Sequence, residues 1–209
     1  MGGNDYPPDE TPPHRVTIQN VAIGRAEVTQ GQWKAVMGSN PSRFKQCGDE
    51  CPVESVSWHD VQEFVQKLNA TTGKRYRLPS EAKWEYAAKA GGAGKWGFGA
   101  DESALGGYAW FAANSGGRTR PVAGMQANSF GLFDMHGNVW EWVEDCFHYG
   151  YVGAPSAGGA WTTACDTNTR VRRGGAWNNF PGNLRSVNRS SESSGNRAID
   201  MGFRLARDL

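Results

Sequence analysis

GLFDMHGNVWEWVED, residues 131–145, is the stretch on which the reading of this chain turns. Its first half is a turn: Gly, Asp, Gly and Asn cluster within eight residues, and these are the residues that tolerate tight backbone. Its second half alternates tryptophan with a polar or charged residue, which places Trp140 and Trp142 in a core on either side of Glu141. The rest of the sequence repeats this theme. The 209 residues include 28 glycines and nine tryptophans, so the chain describes a loop-rich domain whose irregular backbone is pinned by large aromatic rings. A helical bundle is excluded.

Helical periodicity is confined to the first 92 residues. Thr29 and Gln32 form a capping-box pattern ahead of GQWKAVMG. Ser57 opens a second helix, in which Val61, Phe64, Val65 and Leu68 make one apolar stripe before Thr72-Gly73. Ser80, after Pro79, caps a third helix carrying Ala82, Trp84, Ala87 and Ala88 and stopping at Gly91-Gly92. VTIQNVAIGRAEVT (16–29) reads as strand, as do VRRGGAW (171–177) and GFRLAR (202–207). Residues 1–15, with four prolines among the first fourteen, read as an extended lead-in, and 16–209 as one α+β domain.

A net charge of +1 gives no footing for nucleic acid or an anionic membrane surface. The short cluster Arg170, Arg172 and Arg173 reads as ordinary surface or buried ion pairing. No apolar run approaches the ~18 residues that span a bilayer, so direct membrane insertion is not expected. Cys47 and Cys51 bound a tight loop with Gly48 inside it, and Cys146 and Cys165 bracket a second loop. Two local disulfides are the preferred reading, implying an oxidising, extracytoplasmic setting. A zinc site or free thiols are the alternatives.

Four blocks in order, RLPSEAKWEYAA, GLFDMHGNVWEWVED, RVRRGGAW and GFRLAR, resemble the formylglycine-generating enzyme (sulfatase-modifying factor) family. That resemblance implies a variant of the C-type-lectin-like fold with few helices, small antiparallel sheets and much irregular loop. It also implies a calcium loop over 134–141, with Asp134 and Glu141 as side-chain ligands and Gly137 and Val139 as carbonyl ligands; the plainer reading is a turn between strands. The founding activity of the family needs two cysteines after the RGG(S/A) strand to bind Cu(I), and here that segment holds none, so no copper is expected. His136, His59 and His148 lack a nucleophile partner with a recognisable elbow and read as hydrogen-bonded framework.

The segment that replaces the copper cysteines is WNNFPGNLRSVNRSSESSGNRAID, 177–200, rich in Asn and Ser between two strand-like anchors. Trp177, Leu184, Arg185, Arg189, Asn196 and Arg197 read as framework. Asn178, Asn179, Phe180, Asn183, Ser186, Asn188, Ser190, Ser191, Glu192, Ser193, Ser194, Ala198, Ile199 and Asp200 read as candidate ligand contacts. The layout resembles the variable region of proteins diversified by retroelements, where adenine-directed mutagenesis converts Asn codons into many others. The expected function is therefore a monomeric, non-catalytic module that binds a protein or other surface ligand. The alternatives are an enzyme of this family without the copper pair, a non-diversified binding or framework domain, and a plain solvated loop.

Overall fold

The computed structural model describes residues 1–3, 7–165 and 168–209. Each helix starts at its expected cap. Thr29 Oγ1 accepts from the Gln32 amide at 3.2 Å while the Gln32 side chain accepts from the Thr29 amide at 3.0 Å, opening α1 (Gln30–Met37), which closes at left-handed Gly38. Ser57 and Asp60 form the same reciprocal box for α2 (Trp58–Thr72), with Gly73 left-handed at its end. Ser80 caps α3 (Glu81–Lys89), which stops at Ala90 (φ 47°), just ahead of the glycine pair expected to end it.

Among the described residues, six short strands follow the pattern less literally. They are β1 (Val21–Ile23), β2 (Trp140–Cys146), β3 (Thr169–Arg173), β4 (Arg189–Ser193), β5 (Met201–Phe203) and β6 (Ala206–Asp208). A four-stranded sheet runs in the order β4-β3-β2-β5, antiparallel except for the parallel β2–β5 pair, and β1 pairs antiparallel with β6. Two expectations are corrected. The long run 16–29 yields a strand of only three residues and an isolated bridge from Thr29 to Pro52, and Thr17 donates instead to the carbonyl of Ser156 in the second disulfide loop (2.8 Å). GFRLAR is not one strand: the chain leaves β5 at Arg204, whose side chain turns inward, and re-enters the other sheet as β6.

Strand alternation divides the interior in two. Trp140, Trp142, Met201 and Phe203 face α1 and α2 and pack with Trp33, Val61 and Phe64. Val143 and Val171 face the opposite way, against Trp84, Ala87 and Ala88 of α3 and Met135. A third cluster, Trp96, Leu105, Ala109 and Leu184, holds the irregular stretch after α3. There Phe98 stacks on Tyr108 with ring centroids 4.2 Å apart.

Cys47–Cys51 and Cys146–Cys165 are disulfide-bonded, which removes the zinc and free-thiol alternatives and is what an oxidising compartment allows. Among the described residues no helix is long and apolar enough to cross a membrane. The lead-in is not simply extended. Residues 4–6 lie outside the described set, but Pro8–Glu10 form a 3-10 turn, and buried Glu10 receives both ends of the Arg185 guanidinium at 2.7 and 2.8 Å.

Candidate functional site

The Asn/Ser-rich segment begins where β3 ends. Gly174 (φ 94°) and Gly175 (φ 74°) turn the chain away from the sheet, and at Gly175 a Cβ would lie 2.9 Å from the Leu184 side chain. Beyond them the segment is tied down at intervals. Trp177 donates through Nε1 to the Ile199 carbonyl (3.3 Å) and meets the Phe44 ring edge-on. Leu184 is fully buried in the third cluster, Arg185 holds Glu10, and Arg189 grips both oxygens of Glu81 at 2.7 Å. These four framework assignments hold. Asn196 and Arg197 are exposed instead, although Arg197 makes a bidentate bond to Asp60 at 2.6 Å.

The fourteen candidate contacts separate by burial. Ser186 and Ser194 are corrections: both are buried, so neither presents a hydroxyl to a partner. The Ser186 amide donates to the Lys95 carbonyl, and Ser194 Oγ sits 3.1 Å from His59 Nε2 beneath the start of α2. Asn179 and Asn188 are half-buried and already employed. Asn179 builds its own turn by accepting the Ala176 amide at 2.9 Å, and Asn188 reaches Glu10 at 3.2 Å. Asn183 is exposed on the 3-10 helix Pro181–Leu184.

The remaining nine fall into two wings. A loop wing joins Asn178, Phe180, Ala198, Ile199 and Asp200. Asn178 Nδ2 donates to Asp200 at 3.2 Å, and Phe180 is 72% exposed. A strand wing is edge strand β4, with Ser190, Ser191, Glu192 and Ser193. Register sets Ser190 opposite Arg172 and Glu192 opposite Arg170, while Ser191 stands opposite the buried Val171. The basic cluster of β3 thereby divides. Arg173 is wholly buried against Glu85, Arg170 lies over Trp58, and Arg172 lies over Trp140 on the same face as Ser190 and Glu192. Arg172, Trp140 and Phe44 adjoin the wings but were not expected there. For Arg172 the strand alternation VRR was the available signal, since Val171 and Arg173 inside put Arg172 outside. A cleft of ≈ 420 Å³ lies elsewhere, between β1, β6 and the start of α1, and includes none of the fourteen.

The 134–141 loop is buried and acidic. Glu141 is saturated: Trp84 Nε1 and Arg204 Nε both donate to Oε2 at 2.7 Å, and Arg204 Nη2 donates to Oε1 at 2.6 Å. Glu141 does not fit the calcium role expected of it, because a guanidinium already occupies the carboxylate. Asp134 does fit. Oδ2 takes the Ala123 amide at 2.7 Å, Oδ1 is buried without a partner among the described residues, and burial pushes its carboxyl up to about 6. Neighbouring Glu27 is also pushed well above the carboxylate range, by burial and by the Asp134 and Glu141 charges. Glu27 accepts Asn138 Nδ2 at 2.7 Å and the Val139 amide at 3.0 Å, which fixes the loop. His136 is framework. Burial lowers it to about 4, so it is neutral at pH 7, with Nδ1 against the Leu184 carbonyl (2.7 Å) and Nε2 accepting from Gly97.

These features can be set beside known proteins. The structure is similar to Treponema denticola variable protein 1 (TM-score 0.88, 32% identity, covering 100% of this chain and 91% of that one). It is equally similar to PvdO from Pseudomonas aeruginosa (TM-score 0.89, 37% identity, 100% and 90% covered). In sequence it is 36% identical to the formylglycine-generating enzyme of Streptomyces coelicolor over 75% of this chain, and spans about half (52%) of that enzyme. The sulfatase-modifying factor enzyme 1-like domain matches residues 1–209, the whole chain. With helices, sheets and irregular aromatic-pinned stretch all accounted for by that likeness, this chain belongs to the sulfatase-modifying factor enzyme 1-like family.

Proposed function

We propose that this chain is a non-catalytic ligand-binding module that displays the loop and strand wings as a diversified surface. The observation that carries this reading is the division of the 177–200 segment. Leu184, Arg185 and Arg189 anchor it to the interior, while Asn178, Phe180, Asn183, Ser193 and Ile199 are exposed. Adaptable Ser and Asn with an exposed aromatic suit a paratope-like surface on a fixed frame. The full-length similarity to a Treponema denticola variable protein supports it. The module acts outside the cytoplasm, at a cell surface, as a monomer binding a protein or other surface ligand.

The genome gives the direct test. A near-copy of the codons for residues 171–205, differing mainly at adenines and lying beside a reverse transcriptase, is expected in the flanking DNA; its absence removes diversification. At the protein level, Phe180→Ala should change stability by no more than about 0.5 kcal/mol, since the ring is 72% exposed. A large drop in Tm would make it a core residue and end its role as a contact.

The enzyme reading draws on the family's enzymes, including the Streptomyces relative. Against copper chemistry of the founding kind stands the chemistry of the thiols: all four cysteines are paired, and none lies in 177–200. Calcium is proposed as a structural ion held by Asp134 Oδ1 and the carbonyls of Gly137 and Val139, with oxygen donors suited to a hard cation. EDTA should then lower Tm by a few degrees, and Asp134→Ala should abolish that difference. An unchanged melt in EDTA eliminates the site.

A further inference from the structure

Between the two wings stands one charged group that the binding reading does not use. Arg172 is held in place and only partly neutralised, by one long ion pair to Glu192. Its guanidinium lies 4.9 Å from the centroid of the buried Trp140 ring, Nε donates to Ser190 Oγ at 3.3 Å, and Nη1 rests 3.5 Å from Met201 Sδ. Trp140 in turn is locked to the loop wing, its amide donating to the Asp200 carbonyl at 2.7 Å. The side chain is 19% exposed, and among the described residues Nη2 has no hydrogen-bond partner. The nearest carboxylate is Glu192, 3.7 Å from Nη1, beyond hydrogen-bond distance; Glu192 Oε1 is turned back to accept the Ser193 amide at 2.9 Å. The other basic groups nearby are occupied: Arg170 by Trp58 and the Glu144 carbonyl, Arg197 by Asp60.

We infer that Arg172 is the fixed anion anchor of the binding surface, that it takes a carboxylate of an acidic peptide ligand, and that residue 192 sets how strongly it does so. This rests on the proposed binding function. A planar guanidinium already ordered against an aromatic ring loses little freedom on pairing with a carboxylate, and its fork matches that group's geometry. Glu192 is within the segment proposed to vary, whereas Arg172 is on β3, within the frame. Variation at 192 would therefore switch the surface between a partly masked arginine and an open one without rebuilding the site.

Hexaglutamate peptide is the probe, titrated by calorimetry at low ionic strength. Glu192→Ser should bind it roughly five- to tenfold more tightly than the parent protein. Adding Arg172→Gln should remove that gain, and hexalysine should show neither effect. If Arg172→Gln compromises folding, judged by Tm, Arg172→Lys is read in its place. It keeps the charge but not the fork, and should lose most of the gain. Equal affinity of Glu192→Ser and parent, or a gain that survives loss of Arg172, overturns the inference. Neither result bears on the flanking-DNA test, so the broader binding reading stands or falls separately.

Discussion

Arg204→Met should destabilise the protein by about 3–5 kcal/mol while leaving its surface unchanged. Arg204 is bonded to Glu141 within a buried acidic set that also holds Glu27 and Asp134. It holds Glu141 through two bonds of 2.6 and 2.7 Å; the Asp134 and Glu141 charges raise the proton affinity of Glu27, and the Glu141 charge raises that of Asp134. Methionine fills similar volume, so the loss reads the uncompensated carboxylates rather than a cavity. It should appear as a fall in Tm on the order of 10 °C. Arg204→Met with the parent Tm would mean that the carboxylates are already neutral, and the electrostatic account of this loop would be wrong. Glu141→Gln should cost less, because the amide retains one acceptor for Arg204 or Trp84.

Arg189→Met should produce a loss of similar size, although Arg189 sits in the middle of the segment proposed to vary. Its guanidinium bonds both oxygens of Glu81, donates to the His148 and Asp9 carbonyls at 2.7 and 3.0 Å, and lies over the Tyr151 ring. Removing it leaves buried Glu81 with Arg173 at 3.6 Å as its remaining ion pair. The loss should also depend on pH. Asp145, buried and facing Glu81, is pushed up to about 7, above the ordinary aspartate value of 3.8. A folded-state pKa raised in this way favours the fold at low pH, and the contribution fades as pH rises through about 7. Without Arg189 the Glu81 charge beside Asp145 is less compensated. The gap in Tm between variant and parent should therefore be wider at pH 8 than at pH 5.5. Ser190→Ala, the adjacent change, should stay within about 0.5 kcal/mol at both. Equal losses at 189 and 190 would erase the distinction between anchor and surface.

The contrast between 189 and 190 shows where sequence reasoning runs out. An arginine among serines looked like framework and proved so. Ser186 and Ser194 looked no different from Ser190 and Ser193, yet the first two are buried and the latter two are not. Local composition carries no information on which side of a one-residue step a hydroxyl will fall; packing of the 3-10 helix and of β4 against distant elements decides it. The calcium loop has the same limit. Asp134 and Glu141 are equivalent carboxylates in the sequence, and only the approach of Arg204, 63 residues beyond Glu141, commits one of them and leaves the other open.

What the sequence determined by itself was local or chemical. The caps at Thr29, Ser57 and Ser80 start three helices because a side-chain oxygen three residues ahead of an amide needs no tertiary partner. The two short cysteine loops close because each pair brackets a turn-rich loop. The missing thiols after RGGAW bar a dithiolate from that segment whatever its shape. Tertiary structure alone decided the split of GFRLAR between two sheets and the gathering of 178–180 with 198–200 into one surface. Each of these depends on contacts between residues far apart in the chain. Their energies come from burial and ion pairing, which no window of sequence contains.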